Sequence, residues 1–262
     1  MISFSSRPIV FTEHSTNNRR RRFRILKYIE KFVYSKLDFI GCISKGTYDS
    51  LNAFVNVEHN AEIINNGINV DKFRIRGTLK KSGFFHENDY LLIQVSSFRL
   101  QKDHETLINA LVELPSHVKL LLVGDGPLKK IREEQVKALN LEARVTFLGN
   151  RFDIPELLNV SDLVILSSTY EGFGLAIVEG MAAGKPVIAS NVDGLRDIVQ
   201  DYGLLFEMGN SKNLCEQIRS LLEDDTFYRE VANRCRKRAE DFSIQRMVDK
   251  YFKIYRRLSD GK

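Results

Sequence analysis

Two carboxylates eight positions apart, Glu171 and Glu179, are the side chains whose spacing most directly invites chemistry. They lie within the run from Asp162 to Ser190. Leu163 to Leu166 is short, unbroken and apolar, as expected of a strand buried on both faces. Ser167 to Phe173 is polar and punctuated by glycine, so it reads as a loop at that strand's carboxyl end. Gly174 to Ala183 is rich in helix formers and small residues, and Gly184-Lys185-Pro186 stops the helix, because glycine suits the C-cap and proline cannot continue it. Val187 to Ala189 is then the next buried strand. Glu171 therefore sits in the loop, and Glu179 sits inside the helix among Ala176, Ile177, Val178, Met181, Ala182 and Ala183. A carboxylate on so apolar a helix is costly to bury without partners, and ligand hydroxyls would supply them. The alternative is the solvated edge of a surface helix, and composition alone leaves the two readings level. The backbone N–H groups of Gly172, Phe173, Gly174 and Leu175 open the helix N-terminus, which favours anionic or hydroxyl-rich ligands.

Two cations and one histidine sit in comparable places. Tyr90 to Val95 reads as a strand, Ser96 to His104 as its following loop and Glu105 to Leu114 as a helix, which puts Arg99 and Lys102 where a sheet meets a helix. There a guanidinium gives paired hydrogen bonds and an ammonium acts as a point charge, a combination suited to a diphosphate. On their own they could equally be ordinary surface cations. Pro8 to Phe11 reads as a strand and Thr12 to Thr16 as its loop, so His14 lies at a carboxyl edge, where α/β sheets place ligand contacts. A plain turn histidine is the competing reading. Val118 to Val123 is another buried strand, ending at Gly124-Asp125-Gly126-Pro127. The missing third glycine and the immediate proline rule out a dinucleotide fingerprint.

The elements that must position these groups alternate strand and helix from Tyr90 to Phe206. That pattern predicts an α/β protein with a doubly wound parallel sheet and ligands at the strands' carboxyl ends. Further helices are expected at Lys45–Phe54, Leu128–Leu139, Asn213–Leu222, Thr226–Asp241 and Ser243–Leu258. The chain has 262 residues, 43% hydrophobic and 28% charged, enough for one large core or two smaller ones. Its net charge of +5 is compatible with anionic small molecules, membrane surfaces or nucleic acid. Three scattered cysteines, Cys42, Cys215 and Cys235, match neither a disulfide framework nor metal spacing, and five histidines form no ligand pairs. No metal site is expected. No apolar run is long enough to span a membrane and no secretory signal is visible, so the expected setting is cytoplasmic. Arg19 to Lys36 reads as a basic amphipathic helix. Nucleic acid and anionic lipid headgroups would both suit it, as would a solvated face.

Glu171-Gly-Phe-Gly-Leu-Ala-Ile-Val-Glu179, followed by Gly180-Met-Ala-Ala-Gly-Lys-Pro-Val-Ile-Ala-Ser190, resembles the Glu-x7-Glu signature of retaining glycosyltransferases of the GT-B fold, family 4, group 1. Asn65-Asn-Gly-Ile-Asn-Val-Asp-Lys-Phe73 is similar to the segment joining the two GT-B domains. Arg99 and Lys102 resemble the family's Gly-Arg-x-x-x-x-Lys donor-diphosphate loop, with Ser97-Phe98 where glycine is usual. The resemblance covers nearly the whole chain. It implies a Rossmann-like donor domain over 75–242, a partial N-terminal α/β domain over 1–74 and a terminal helix, 243–262, crossing back to the first part.

The same resemblance implies transfer of a sugar from a nucleotide diphosphate-sugar to an acceptor hydroxyl with retention, by same-face displacement and without a cofactor or bound metal. Arg99 and Lys102 would neutralise the leaving diphosphate, and Glu179 would hold the ribose hydroxyls. Glu171 and the backbone from Gly172 to Leu175 would orient the sugar, with His14 closing the site. Gly124 would belong to the donor-pocket floor, and Arg151 and Phe152 would lie beside the base. A saccharide or lipid-linked acceptor is implied, in polysaccharide or glycolipid biosynthesis. This favours peripheral contact of Arg19–Lys36 with the inner membrane face over nucleic-acid binding. A full GT-B enzyme opens with strands well before the Thr-x-His strand, so a fragment, a truncated coding sequence or a second polypeptide supplying the remaining half is expected. The rival functions are a partner-dependent or non-catalytic donor-binding remnant and a sugar-nucleotide epimerase of the same superfold.

Overall fold

Apolar strand runs separated by helices of 3.6-residue periodicity build two parallel sheets in the computed structural model, which describes residues 7–16, 24–74 and 77–260. The smaller sheet is formed by β1 (Val10–Glu13), β2 (Phe39–Cys42) and β3 (Ala61–Ile63), in the order β1-β2-β3. Helices α1 (Arg24–Tyr34) and α2 (Lys45–Val55) form its crossovers. Ser44 caps α2 by accepting a hydrogen bond from the Thr47 N–H, satisfying one of the helix's orphan donors. The strand expected over Pro8–Phe11 instead occupies Val10–Glu13. Pro8 has no N–H to give a ladder, and the Ile9 N–H is taken by the Asp38 carboxylate at 2.7 Å. His14 consequently follows the strand directly. The arginine cluster at 19–22 lies outside the described residues.

After α3 (Val70–Arg74), the chain alternates through β4 (Tyr90–Val95), α4 (His104–Glu113), β5 (Val118–Val123), α5 (Lys129–Ala138), β6 (Val145–Gly149), α6 (Ile154–Val160), β7 (Leu163–Leu166), α7 (Leu175–Ala182), β8 (Val187–Ser190), α8 (Arg196–Val199) and β9 (Leu204–Phe206). The six strands pair in parallel in the order β6-β5-β4-β7-β8-β9. The sheet therefore grows outward from β4 in one direction and from β7 in the other, and the chain reverses between these two neighbours. Crevices at such reversals, beyond the carboxyl ends, are where open α/β sheets bind ligands. β4, β5, β7 and β8 are buried along almost their whole length. Each fully buried leucine, isoleucine or valine there contributes about 1.5–3 kcal/mol.

Helices α9 (Ser211–Glu223), α10 (Asp225–Ala239) and α11 (Ile244–Asp260) complete the chain. α11 does not stay on the large sheet. Its Ile254 is buried with Phe39 and Ile64 of the small-sheet lobe, and Tyr251 Oη lies 2.9 Å from Thr12 Oγ1. The Ile68–Ser243 bridge, with N–H donors at Ile68 and Ile244, ties the entry and exit of the larger lobe together. The carboxyl edges of both sheets therefore face one another.

Candidate functional site

A cleft of about 410 Å³ lies between those edges. From the large sheet it receives the loop after β4 (Ser96, Ser97, Lys102), the loop after β7 (Glu171, Gly172, Phe173) and the start of α7. From the small lobe it receives His14, Ile43 and Asn66. The Glu171 and Lys102 side chains, 69 positions apart, meet as an ion pair, each about 15% exposed. Ser168 Oγ donates to the same Glu171 oxygen at 3.2 Å.

The start of α7 owes its shape to two glycines. Gly174 adopts φ +89° as the N-cap, and a Cβ there would stand 2.4 Å from Leu195 Cδ2. At Gly172 a Cβ would stand 2.6 Å from the His14 carbonyl oxygen, so the two lobes touch through backbone at this point. Leu175 and Ala176 line the cleft, and their first-turn N–H groups have no acceptor one turn back within the helix. Phe173 is buried and packs edge-on against Phe242 at 5.4 Å. It anchors the loop while its backbone borders the cleft.

Glu179 opens into the same cleft from the following turn of α7. Its carboxylate makes no hydrogen bond or ion pair with the described residues. Burial pushes its pKa up from the ordinary 4.5 to about 7, and Lys72 on α3 offsets only part of that rise. A half-buried carboxylate without protein partners is an acceptor awaiting donors.

The remaining sequence-predicted residues sit differently. Arg99 begins the 3-10 turn that ends at Lys102, but its side chain is exposed and does not line the cleft. Gly124, at φ +129°, lies behind the cleft, where a Cβ would be 2.1 Å from the Ser96 carbonyl oxygen. Its contribution is to let the β4 and β5 loops approach backbone to backbone. Arg151 is held by its neighbour Asp153 at 2.6 Å, and Phe152 is 98% exposed, both away from the cleft lining. The Arg151–Asp153 pair closes within the loop after β6, and the Phe152 ring between them in sequence stays in solvent.

Several residues that no motif marks also enter or brace the site. Asn66 lines the cleft, and Asn65 braces that turn by donating to the Ile43 carbonyl at 3.1 Å. Glu13 is buried beside His14 and accepts from Tyr34 Oη at 2.6 Å and the Ser15 N–H at 3.1 Å, which shapes the His14 turn. Gln94, wholly buried in central β4, binds the loop carrying Lys102. A glutamine interrupting the apolar run Leu91-Leu-Ile-Gln-Val95 was the available signal, since a buried amide needs partners.

A large doubly wound parallel sheet, its switch-point cleft closed by a second small parallel sheet and a returning terminal helix, defines an α/β protein of the GT-B type. The structure superposes on HepE of Anabaena, solved in complex with UDP and glucose, with a TM-score of 0.87 and 26% identity, over 97% of this chain and 72% of that one. The model of glycosyl transferases group 1 matches residues 76–242, and that of glycosyltransferase family 4 matches residues 2–72. The chain belongs to the group 1 glycosyltransferase family. N-acetyl-alpha-D-glucosaminyl L-malate synthase of Bacillus anthracis is 32% identical over 237 residues, covering 88% of this chain and 62% of that protein. UDP-Gal:alpha-D-GlcNAc-diphosphoundecaprenol alpha-1,3-galactosyltransferase of Escherichia coli is 30% identical over 207 residues, 74% of this chain and 53% of its own length. The chain thus spans little more than half to three-fifths of these relatives.

Proposed function

We propose that the cleft binds a nucleotide diphosphate-sugar and that the protein transfers the sugar to an acceptor hydroxyl with retention. One observation carries this reading. A lysine amine, two carboxylates of opposite circumstance (Glu171 paired, Glu179 unpartnered) and a helix start converge on one cleft at the strand-order reversal. Lys102 would exchange part of its contact with Glu171 for the leaving diphosphate, with Arg99 three residues away reaching in from the surface. Cations aimed at charge that develops in the transition state are the usual source of such stabilisation. Glu179 would accept from the ribose hydroxyls, and Glu171 with the Gly172–Leu175 backbone would orient the sugar. His14 faces the sugar from the opposite lobe. The neutralising charge in this scheme comes from the protein's own cations, so it calls for no cofactor.

The solved relative holding UDP and glucose supports a nucleotide-sugar donor. The Escherichia coli relative, named for a diphosphoundecaprenol-linked sugar, supports a lipid-linked acceptor and glycoconjugate biosynthesis. Helix α1 exposes Tyr28, Ile29 and Phe32 (78%, 57% and 63%) beside Lys27 and Lys31, a surface suited to an anionic bilayer. No described helix is long and apolar enough to cross a membrane.

The test is a thermal-shift panel of UDP-, GDP- and ADP-sugars. A ligand bound by the native state at a hundred times its Kd adds about 2.7 kcal/mol of stability. Stabilisation by one nucleotide class, lost in Lys102→Ala and Glu179→Ala, is expected. No stabilisation by any of them would refute the donor site, whereas binding without transfer in the presence of acceptor and added partner would favour a donor-binding remnant.

A further inference from the structure

Behind the lysine loop a chain of side chains leads to a hydroxyl that the scheme above does not use. Gln94, Ser167 and His104 are each at most 3% exposed, and Ser96 lies between them and the cleft. Gln94 Oε1 accepts from the Ser167 N–H at 3.3 Å and from Ser167 Oγ at 2.9 Å. A backbone N–H can only donate, so this oxygen is correctly turned, and the Gln94 amide nitrogen must face the other way. It donates to the Lys102 carbonyl at 3.1 Å and to Ser96 Oγ at 3.2 Å. One lone pair of the Ser96 oxygen is thereby occupied. His104 Nε2 lies 3.1 Å from the same oxygen, its ring stacked on Phe98 at 4.1 Å between centroids.

A serine hydroxyl has two lone pairs and one proton. If His104 carries its proton on Nε2, that N–H fills the second lone pair and the Ser96 proton is left pointing into the cleft. If the proton is on Nδ1, Ser96 donates to Nε2 and shows the cleft a lone pair. An anionic oxygen in the cleft accepts only from the first arrangement. Nδ1 has no hydrogen-bond partner among the described residues to bias the choice. Burial, helped by Arg132 and Lys102, pushes the imidazole pKa down to about 3, so the ring is neutral in either state.

Resting on the donor-site reading above, we infer that Ser96 is a diphosphate-binding hydroxyl of this cleft and that His104 is the positioning residue which aims its proton. Both act without a change in net charge, unlike a phosphate-binding imidazolium. Ser96 stands beside Lys102 in the lining, so one loop presents a point charge and an oriented neutral donor to the same ligand.

The experiment titrates UDP, GDP and ADP into the protein by calorimetry, takes the tightest as the probe, and uses its nucleoside as control. Ser96→Ala is expected to weaken the nucleoside diphosphate about tenfold, as for a hydrogen bond to a charged group, and to leave the nucleoside unaffected. His104→Phe keeps the stack on Phe98 but removes the N–H that aims the Ser96 proton, so it should lose part of that factor, with no loss beyond that of Ser96→Ala when the two are combined. His104→Gln, whose amide can donate, should recover part of the affinity. The His104 15N shifts of the wild-type complex should report the Nε2–H tautomer, a readout that does not depend on a variant folding. Unchanged diphosphate affinity in Ser96→Ala, additive losses in the double variant or an Nδ1–H ring in the complex would each overturn the inference. Wild-type protein binding none of the three diphosphates would instead overturn the donor-site reading itself.

Discussion

Replacing Glu179 by glutamine separates the cost of this residue from its use, because it removes the charge and keeps the shape. The carboxyl is pushed from the ordinary 4.5 to about 7, chiefly by burial. At roughly 1.4 kcal/mol per unit that interval corresponds to about 3 kcal/mol. Partial exposure to cleft water reduces the amount expressed as stability to about 1–2 kcal/mol. The sign follows from proton linkage. Between pH 4.5 and 7 the native state holds a proton that the unfolded chain has released, so the carboxyl's contribution is fully present below 4.5 and is lost as pH rises through 7. Glutamine never titrates. Urea unfolding should therefore show Glu179→Gln more stable than wild type by about 1–2 kcal/mol at pH 8, with the two converging near pH 4.5. The same variant should bind the nucleotide at least tenfold more weakly, since a charged acceptor for two hydroxyls is replaced by one neutral oxygen and an unwanted donor. In wild type, nucleotide affinity should fall as pH drops below about 7. A variant with no pH-dependent stability gain, or with unchanged nucleotide affinity, would refute the assignment of Glu179 as an unpartnered acceptor.

Other consequences are sharper in one assay each. Lys102→Ala should reduce nucleotide affinity by roughly ten- to a hundredfold, measured by calorimetry, because it removes the charged donor of the loop. Gly172→Ala should cost about 1–3 kcal/mol in thermal unfolding, since its methyl would meet the His14 carbonyl at 2.6 Å and force backbone apart. Flotation with anionic vesicles should carry the protein at low salt and fail at high salt, and Phe32→Glu should abolish it.

Much of the larger lobe was legible because its signals are local. The apolar strands Tyr90–Val95, Val118–Val123 and Leu163–Leu166, the helix stop at Gly184-Lys185-Pro186 and the loop bearing Glu171 all appear where their residue patterns place them. Glu179 was legible as an anomaly on an apolar helix, and the structure finds it half-buried without a protein partner. Position along a strand end, however, does not say which way a loop turns. Arg151 and Phe152 follow β6 as read, yet their loop closes on Asp153 and leaves the ring in water. Gln94 and His104 carry no local signal of their role, which lies in contacts with Ser96 and with Ser167, the latter 73 positions from Gln94.

By itself the chain's order of residues determined the parallel α/β elements, the Glu171–Glu179 spacing and the cationic loop, because these depend on periodicity and short-range turn chemistry. Tertiary structure decided the neighbour relation of β4 and β7, which brings Lys102 against Glu171. It also decided the return of α11 to the small sheet, which helps hold the two lobes together. Strand order depends on how crossover helices pack their apolar faces on both sides of the sheet. That packing minimises exposed surface over the whole chain, and no short window of sequence contains it.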